Sequence, residues 1–177
     1  MEKTIIHTES FNEKINFAGK ILWGCLLITL CSLIKIPFYP VSFTLHTFAI
    51  SILALTQTPR QAFFSVLCYL ICGSLGLPVF SGLANPLWVM GKCAGYYSAF
   101  PISAYLIARI RQKGHPIFGL LCGHALILTF GFLWLIPFFG VHIAFTKGLL
   151  FFVPSDLLKI LTAFTIVHYW ERRCSRA

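Results

Sequence analysis

Between Lys14 and Glu171 the chain carries one acidic residue, Asp156, and Lys159 follows it by three positions. No water-facing surface can be assembled from so long a stretch with a single carboxylate. The chain is 58% hydrophobic and 11% charged, with a mean hydropathy of +0.82. At 177 residues it is long enough for one compact domain, but a soluble domain of that size cannot hide so large an apolar fraction. Lipid is the simplest solvent for it. The expected fold class is therefore an all-α membrane protein.

Six apolar stretches are long enough to consider as spans, at about Ala18–Ile34, Val41–Thr56, Gln61–Leu75, Gly95–Ile110, Ile117–Phe138 and Pro154–Trp170. Several are near the lower end of the roughly 17–25 residues a crossing needs, which predicts a compact six-transmembrane-helix bundle. This divides the chain into a polar N-terminal segment (1–15), a transmembrane domain (16–172) and a basic C-terminal tail (173–177). The first sixteen residues are polar and lack the short apolar core of a cleavable signal.

Basic residues orient the bundle. With both ends cytoplasmic, the inner side holds Lys3, Lys14, Lys20, Arg60, Arg109, Arg111, Lys113, Arg172, Arg173 and Arg176, leaving Lys35, Lys92 and Lys147 outside. That is the arrangement the positive-inside rule favours. The net charge of +9 falls in short runs between apolar segments and builds no nucleic-acid face. The inner connections are short polar turns. The outer ones, IKIPFYPV, GLPVFSGLANPLWVMGKCAG and FFGVHIAFTKGLLFF, are longer, apolar and punctuated by Gly and Pro. Irregular backbone at membrane depth needs protein or a cavity around it, so these are expected to fold as lids over a cavity.

Asp156 and Lys159 lie near the outer end of the last span. An ionisable group at a helix centre costs roughly 2.5–3.5 kcal/mol on insertion scales, so the two need partners. Their spacing puts them on one helical face. They are either ligand contacts or an intrahelical ion pair that eases insertion. The seven cysteines are irregularly spaced and mostly inside apolar runs, which reads as small apolar filler with no disulfide framework and no metal site. Gly119 and Gly123 form a GxxxG motif suited to helix packing. His124 and His142 have no carboxylate or cysteine neighbours in sequence and read as structural. No GxxxxGK[ST] motif occurs, so no nucleotide hydrolysis is expected in this chain.

Four motifs carry a family resemblance. PVSFTLHTF (Pro40–Phe48), YLICGSLGLPVFSG (Tyr69–Gly82), GKCAGYYSAFPISAYL (Gly91–Leu106) and VPSDLLK (Val153–Lys159) resemble, in order, signatures of the BioY biotin transporters. Members of that family are biotin-binding S components of energy-coupling factor (ECF) transporters. The resemblance implies a six-helix S-component-like bundle in the bacterial cytoplasmic membrane that captures biotin from the outer side, with no enzymatic activity and no cofactor. It also implies a coupling transmembrane subunit and ATPases as possible partners, biotin itself as the transported ligand, and Asp156 and Lys159 as ligand contacts. The chain departs from the signatures at His46, at Asn85-Pro86 and at Lys92-Cys93-Ala94, and its first helix lacks a clean Ala-xxx-Ala patch.

Biotin offers a carboxylate, a ureido ring with two N–H donors and one carbonyl acceptor, and an apolar thiophane ring. Asp156 is the expected acceptor for ureido N–H groups and Lys159 the expected cation for the carboxylate. Asn85 suits the ureido group, or is a turn residue before Pro86. Thr44 and His46 come from the first motif, and one of them is expected to reach the ring. Lys92 is either a second cation or a solvated loop charge. Phe80, Trp88 and Tyr96 either wall the ring system or anchor the protein at the membrane interface. Three alternatives stay open: an S component or facilitator for another small vitamin, a non-transporting assembly subunit, and a lipid-modifying enzyme with Asp156 as base.

Overall fold

The computed structural model describes residues 2–81 and 85–174, with side chains described from Glu13 onward. Its helices are α1 (Glu2–Leu33), α2 (His46–Thr56), α3 (Pro59–Ser74), α4 (Ala94–Arg111), α5 (Pro116–Ile143) and α6 (Val153–Cys174). A small antiparallel ribbon, β1 (Lys35–Ile36) and β2 (Phe43–Thr44), joins α1 to α2, with Lys35 opposite Thr44 and Ile36 opposite Phe43. The polar N-terminal segment continues into α1 from Glu2. The tail expected at 173–177 lies outside the described residues from Ser175 onward.

Local chemistry sets the helix starts. Thr58 caps α3 through a reciprocal capping box with Gln61, and Pro59 fills the first turn. Pro116 does the same for α5. The shortest helix, α2, is the most enclosed, with Ala49, Ile50, Leu53 and Ala54 at 0–1% exposure. Its neighbours α4 and α6 pack on it. The GxxxG of α5 packs that helix against α4: a Cβ at Gly123 would overlap the side chains of Ile107 and Ser103, and Ser103 Oγ donates to the Gly123 carbonyl at 3.0 Å. Only a residue without a side chain permits that approach.

The outer surface is apolar. Leu22, Trp23, Leu26, Leu30 and Leu33 of α1 are each about half exposed or more, as are Leu158, Leu161, Tyr169 and Trp170 of α6. Monomers in water do not expose such contiguous apolar faces. Two helical stretches, Glu13–Leu33 and Pro116–Cys174, are long and apolar enough to cross a membrane.

One of the expected outer loops is not a loop. FFGVHIAFTKGLLFF continues α5 through a kink at Gly140 (φ 77°), then winds as a π-helical segment over Ala144–Leu150 before α6 begins. Gly140 supplies the left-handed conformation, and helical hydrogen bonding resumes because backbone groups at this depth need partners within the chain. Of the other two connections, the first carries β1 of the ribbon, and the described residues of the second include a short 3-10 turn at Trp88–Met90. Aromatic stacking joins this end of the molecule: Phe43 of the ribbon stacks on Phe152 (4.5 Å between centroids), and Phe38 stacks on Phe151 (4.6 Å). Lys92 and Lys147 both lie over the Tyr39 ring at 5.8 Å.

Candidate functional site

Beneath these connections is a cavity of about 510 Å³, within the range of small-molecule sites. Asp156 and Lys159 of α6 line it, with Thr44, Thr47, Phe80, Asn85, Trp88, Lys92 and Tyr96. Of the ligand contacts expected from the sequence, His46 alone does not line the cavity.

The floor is charged. Asp156 is only 3% exposed. Lys159 Nζ donates to Asp156 Oδ1 and to Thr47 Oγ1, both at 3.1 Å, and Thr47 Oγ1 donates to Asp156 Oδ1 at 3.3 Å. On the other carboxylate oxygen, His124 Nδ1 lies 3.3 Å from Oδ2, at ion-pair distance but not aligned as a hydrogen bond. His124 Nε2 is 2.9 Å from Ser51 Oγ. His124, read from the sequence as structural, packs directly on Asp156, the one buried carboxylate among the described residues. Its partner comes from a different helix, a proximity no local spacing encodes. His142, at the end of α5, is outside this cluster and does not line the cavity.

Asp156 and Lys159 do sit against each other, but the cavity lies beside them. Lys159 is already engaged by its own helix neighbour, whereas Lys35 and Lys92 line the cavity from exposed positions and have no acidic partner among the described residues. The cavity thus has one paired charge couple at its buried end and two cations at its open end.

Aromatic rings form the walls. Phe80 stacks on Tyr97 (5.1 Å, 19° between planes), Trp88 meets Tyr97 edge-on at 5.8 Å, and Tyr97 contacts Phe100 at 5.4 Å. The loop carrying Trp88 is pinned at both ends, by Trp88 Nε1 donating to Ser74 Oγ (2.9 Å) and Trp134 Nε1 donating to the Gly91 carbonyl (3.0 Å). Tyr96 donates to the Gly148 carbonyl, tying α4 to the π segment. Asn85 lines the cavity, and its carbonyl accepts from Trp88 N at 3.1 Å, so its turn and wall roles coexist.

His46 is fully buried, with Nδ1 2.7 Å from Thr44 Oγ1 and Nε2 2.6 Å from the Tyr69 hydroxyl. It lies behind Thr44, so of that pair Thr44 is the residue facing the cavity. The sequence reading missed Lys35, Thr47, Tyr97 and Phe100. The sulfurs of Cys25, Cys68 and Cys72 lie within 4.8 Å of one another between α1 and α3. Neutral thiols suit this partly buried interface, whereas holding a metal ion there would require ionising them in apolar surroundings.

The BioY family profile matches residues 8–176. The chain is 33% identical over 158 residues to the probable biotin transporter BioY of Rickettsia prowazekii, covering 86% of this chain and 81% of that one. It is 35% identical over 134 residues to the probable biotin transporter BioY of Pyrococcus horikoshii, covering 75% and 82%. To the biotin transporter BioY2 of Lactococcus lactis it is 33% identical, covering 85% and 87%. In fold it is similar to the crystal structure of the S-component for biotin from an ECF-type ABC transporter, with a TM-score of 0.80, 23% identity, and coverage of 91% of this chain and 93% of that one.

Proposed function

The chain belongs to the BioY family, and from that premise we propose that it is a biotin transporter: a membrane-embedded subunit that binds biotin in the cavity above Asp156 and mediates its uptake. The observation that carries this reading is the polarity of the cavity, with a buried carboxylate at one end, aromatic walls, and exposed Lys35 and Lys92 at the other. Biotin has the same polarity. Its ureido N–H groups seek an acceptor, its fused rings an apolar wall, and its carboxylate a cation.

In this reading Asp156 accepts from the ureido group with Asn85 and Thr44 nearby. Phe80, Trp88, Tyr96 and Tyr97 enclose the rings. Lys92 and Lys35 meet the carboxylate, while Lys159 pairs with Asp156 and orients it. The bundle crosses the bacterial cytoplasmic membrane six times with both termini inside, an orientation supported by the excess of Lys and Arg in the inner connections. The cavity then opens outward. ATP-driven uptake requires a coupling transmembrane subunit and ATPases, because this chain has no phosphate-binding loop.

Equilibrium binding of labelled biotin to the purified protein, competed by a panel of other vitamins, tests the proposal. Sub-micromolar biotin binding that no other vitamin displaces at comparable concentration supports it. Displacement by a different vitamin at lower concentration reassigns the ligand.

A further inference from the structure

Thr44 stands between the cavity and two buried rings, and the proton count of those rings decides what Thr44 can offer a ligand. The Tyr69 hydroxyl has one proton and two acceptors within reach: His46 Nε2 at 2.6 Å and the Val79 carbonyl at 3.3 Å. That carbonyl already receives Ser81 N at 3.1 Å, and the one Ser32 hydroxyl proton is shared between it and the Thr29 carbonyl, each 2.7 Å from Ser32 Oγ. The tyrosine proton therefore goes to Nε2, the nearer and less occupied acceptor. A neutral imidazole that accepts at Nε2 carries its proton on Nδ1. Nδ1 lies 2.7 Å from Thr44 Oγ1, so His46 donates to Thr44.

Thr44 then cannot aim its own proton back at the ring. Among the described residues Thr44 Oγ1 makes no other hydrogen bond, and Thr44 lines the cavity. Its proton is left for whatever occupies that space. We infer that Tyr69 and His46 are positioning residues whose hydrogen-bond chain fixes Thr44 as a donor toward a carbonyl oxygen of the bound ligand. This rests on the biotin reading above, in which the ureido carbonyl is that oxygen and Asp156 serves the N–H side of the same ring. The cavity thereby presents both halves of a ureido complement, a donor from β2 and an acceptor from α6. His46 and Tyr69 are fully buried, where an unmade hydrogen bond is costly, so each end of the imidazole keeps its partner.

The test compares biotin with 2-iminobiotin in its guanidinium form, which has no ring acceptor for Thr44. Thr44→Val, Tyr69→Phe and His46→Leu are each expected to weaken biotin binding about tenfold while changing 2-iminobiotin binding less than about twofold. His46→Gln, which keeps one acceptor and one donor at the side-chain end, recovers most of the His46→Leu loss, and Tyr69→Phe adds nothing in the Thr44→Val background. Equal losses for both ligands, or additive effects of Tyr69→Phe and Thr44→Val, would overturn the assignment. A ligand-free reading comes from nitrogen-15 spectra of the His46 ring, identified by its disappearance in His46→Leu. If the wild-type protein binds neither compound, the biotin reading fails and the ring alone decides: a proton on Nδ1 keeps the chain, a proton on Nε2 only removes it.

Discussion

His124 Nδ1 approaches Asp156 Oδ2 at 3.3 Å while Lys159 holds Oδ1 at 3.1 Å, so this buried carboxylate is contacted through both oxygens. An ion held this way in apolar surroundings has a fixed orientation. Asp156 also lines the cavity. Binding and insertion stability are therefore two separable outcomes of the same cluster.

Asp156→Asn removes the negative charge and leaves Lys159 unpaired, with its side chain only 14% exposed. Breaking one partner of a buried pair costs about 3–5 kcal/mol. The single variant should lose both thermal stability and biotin affinity, the latter by about a hundredfold or more. Asp156→Asn combined with Lys159→Met should regain stability without regaining affinity. Thermal unfolding in detergent and equilibrium biotin binding, measured on the same preparations, check the two halves. Restored binding in the double variant would remove Asp156 from the ligand.

His124→Leu deletes the contact to Oδ2 and the link to Ser51 Oγ. The carboxylate keeps Lys159 but gains rotational freedom. Biotin affinity is expected to fall about tenfold. Ser51→Ala, which removes only the outer link, should cost less. An affinity unchanged in His124→Leu would mean that Lys159 and Thr47 alone orient Asp156.

How much of this was legible in the sequence follows from where each signal resides. Asp156 and Lys159 stood out because a charge inside an apolar run has no structural excuse. Phe80, Trp88 and Tyr96 stood out because they flank Gly and Pro in connections too apolar to be simple loops. Thr47 and Tyr97 look like ordinary helix residues, and only the packing of α2 and α4 turns them toward the cavity. His124 gave no local sign because its partner is on α6. The winding of Ala144–Leu150 was hidden by Gly140, which in sequence marks a break but in the fold only kinks a helix that resumes. Lys35 owes its place to register, since β1 pairs it with Thr44.

Lys35 and Lys92 are exposed at the open end, so their contribution is screened and should depend on salt. Lys92→Gln and Lys35→Gln are each expected to lower biotin affinity by about threefold to tenfold at low ionic strength, with a smaller effect at high salt. Biotin methyl ester, which lacks the anionic end, should show no such loss. Binding of biotin and its ester by both variants, titrated against sodium chloride, gives the comparison. Equal losses for the ester would place the lysines in loop structure and not at the carboxylate.

Two glycines of α5 separate packing from binding. A Cβ at Gly123 would overlap Ile107 and Ser103, and a Cβ at Gly131 would overlap the Tyr96 ring. Neither Ile107 nor Ser103 lines the cavity, whereas Tyr96 does. Overpacking of this kind costs about 1–3 kcal/mol, so Gly123→Ala and Gly131→Ala should both lower the unfolding temperature by a few degrees. Only Gly131→Ala should also weaken biotin binding, because the displaced ring must move toward the cavity or break its hydrogen bond to the Gly148 carbonyl. Unfolding temperature and affinity measured for both variants below their transitions decide the point, and an affinity loss in Gly123→Ala equal to that in Gly131→Ala would mean that the α4–α5 interface sets the cavity as a whole and not through Tyr96.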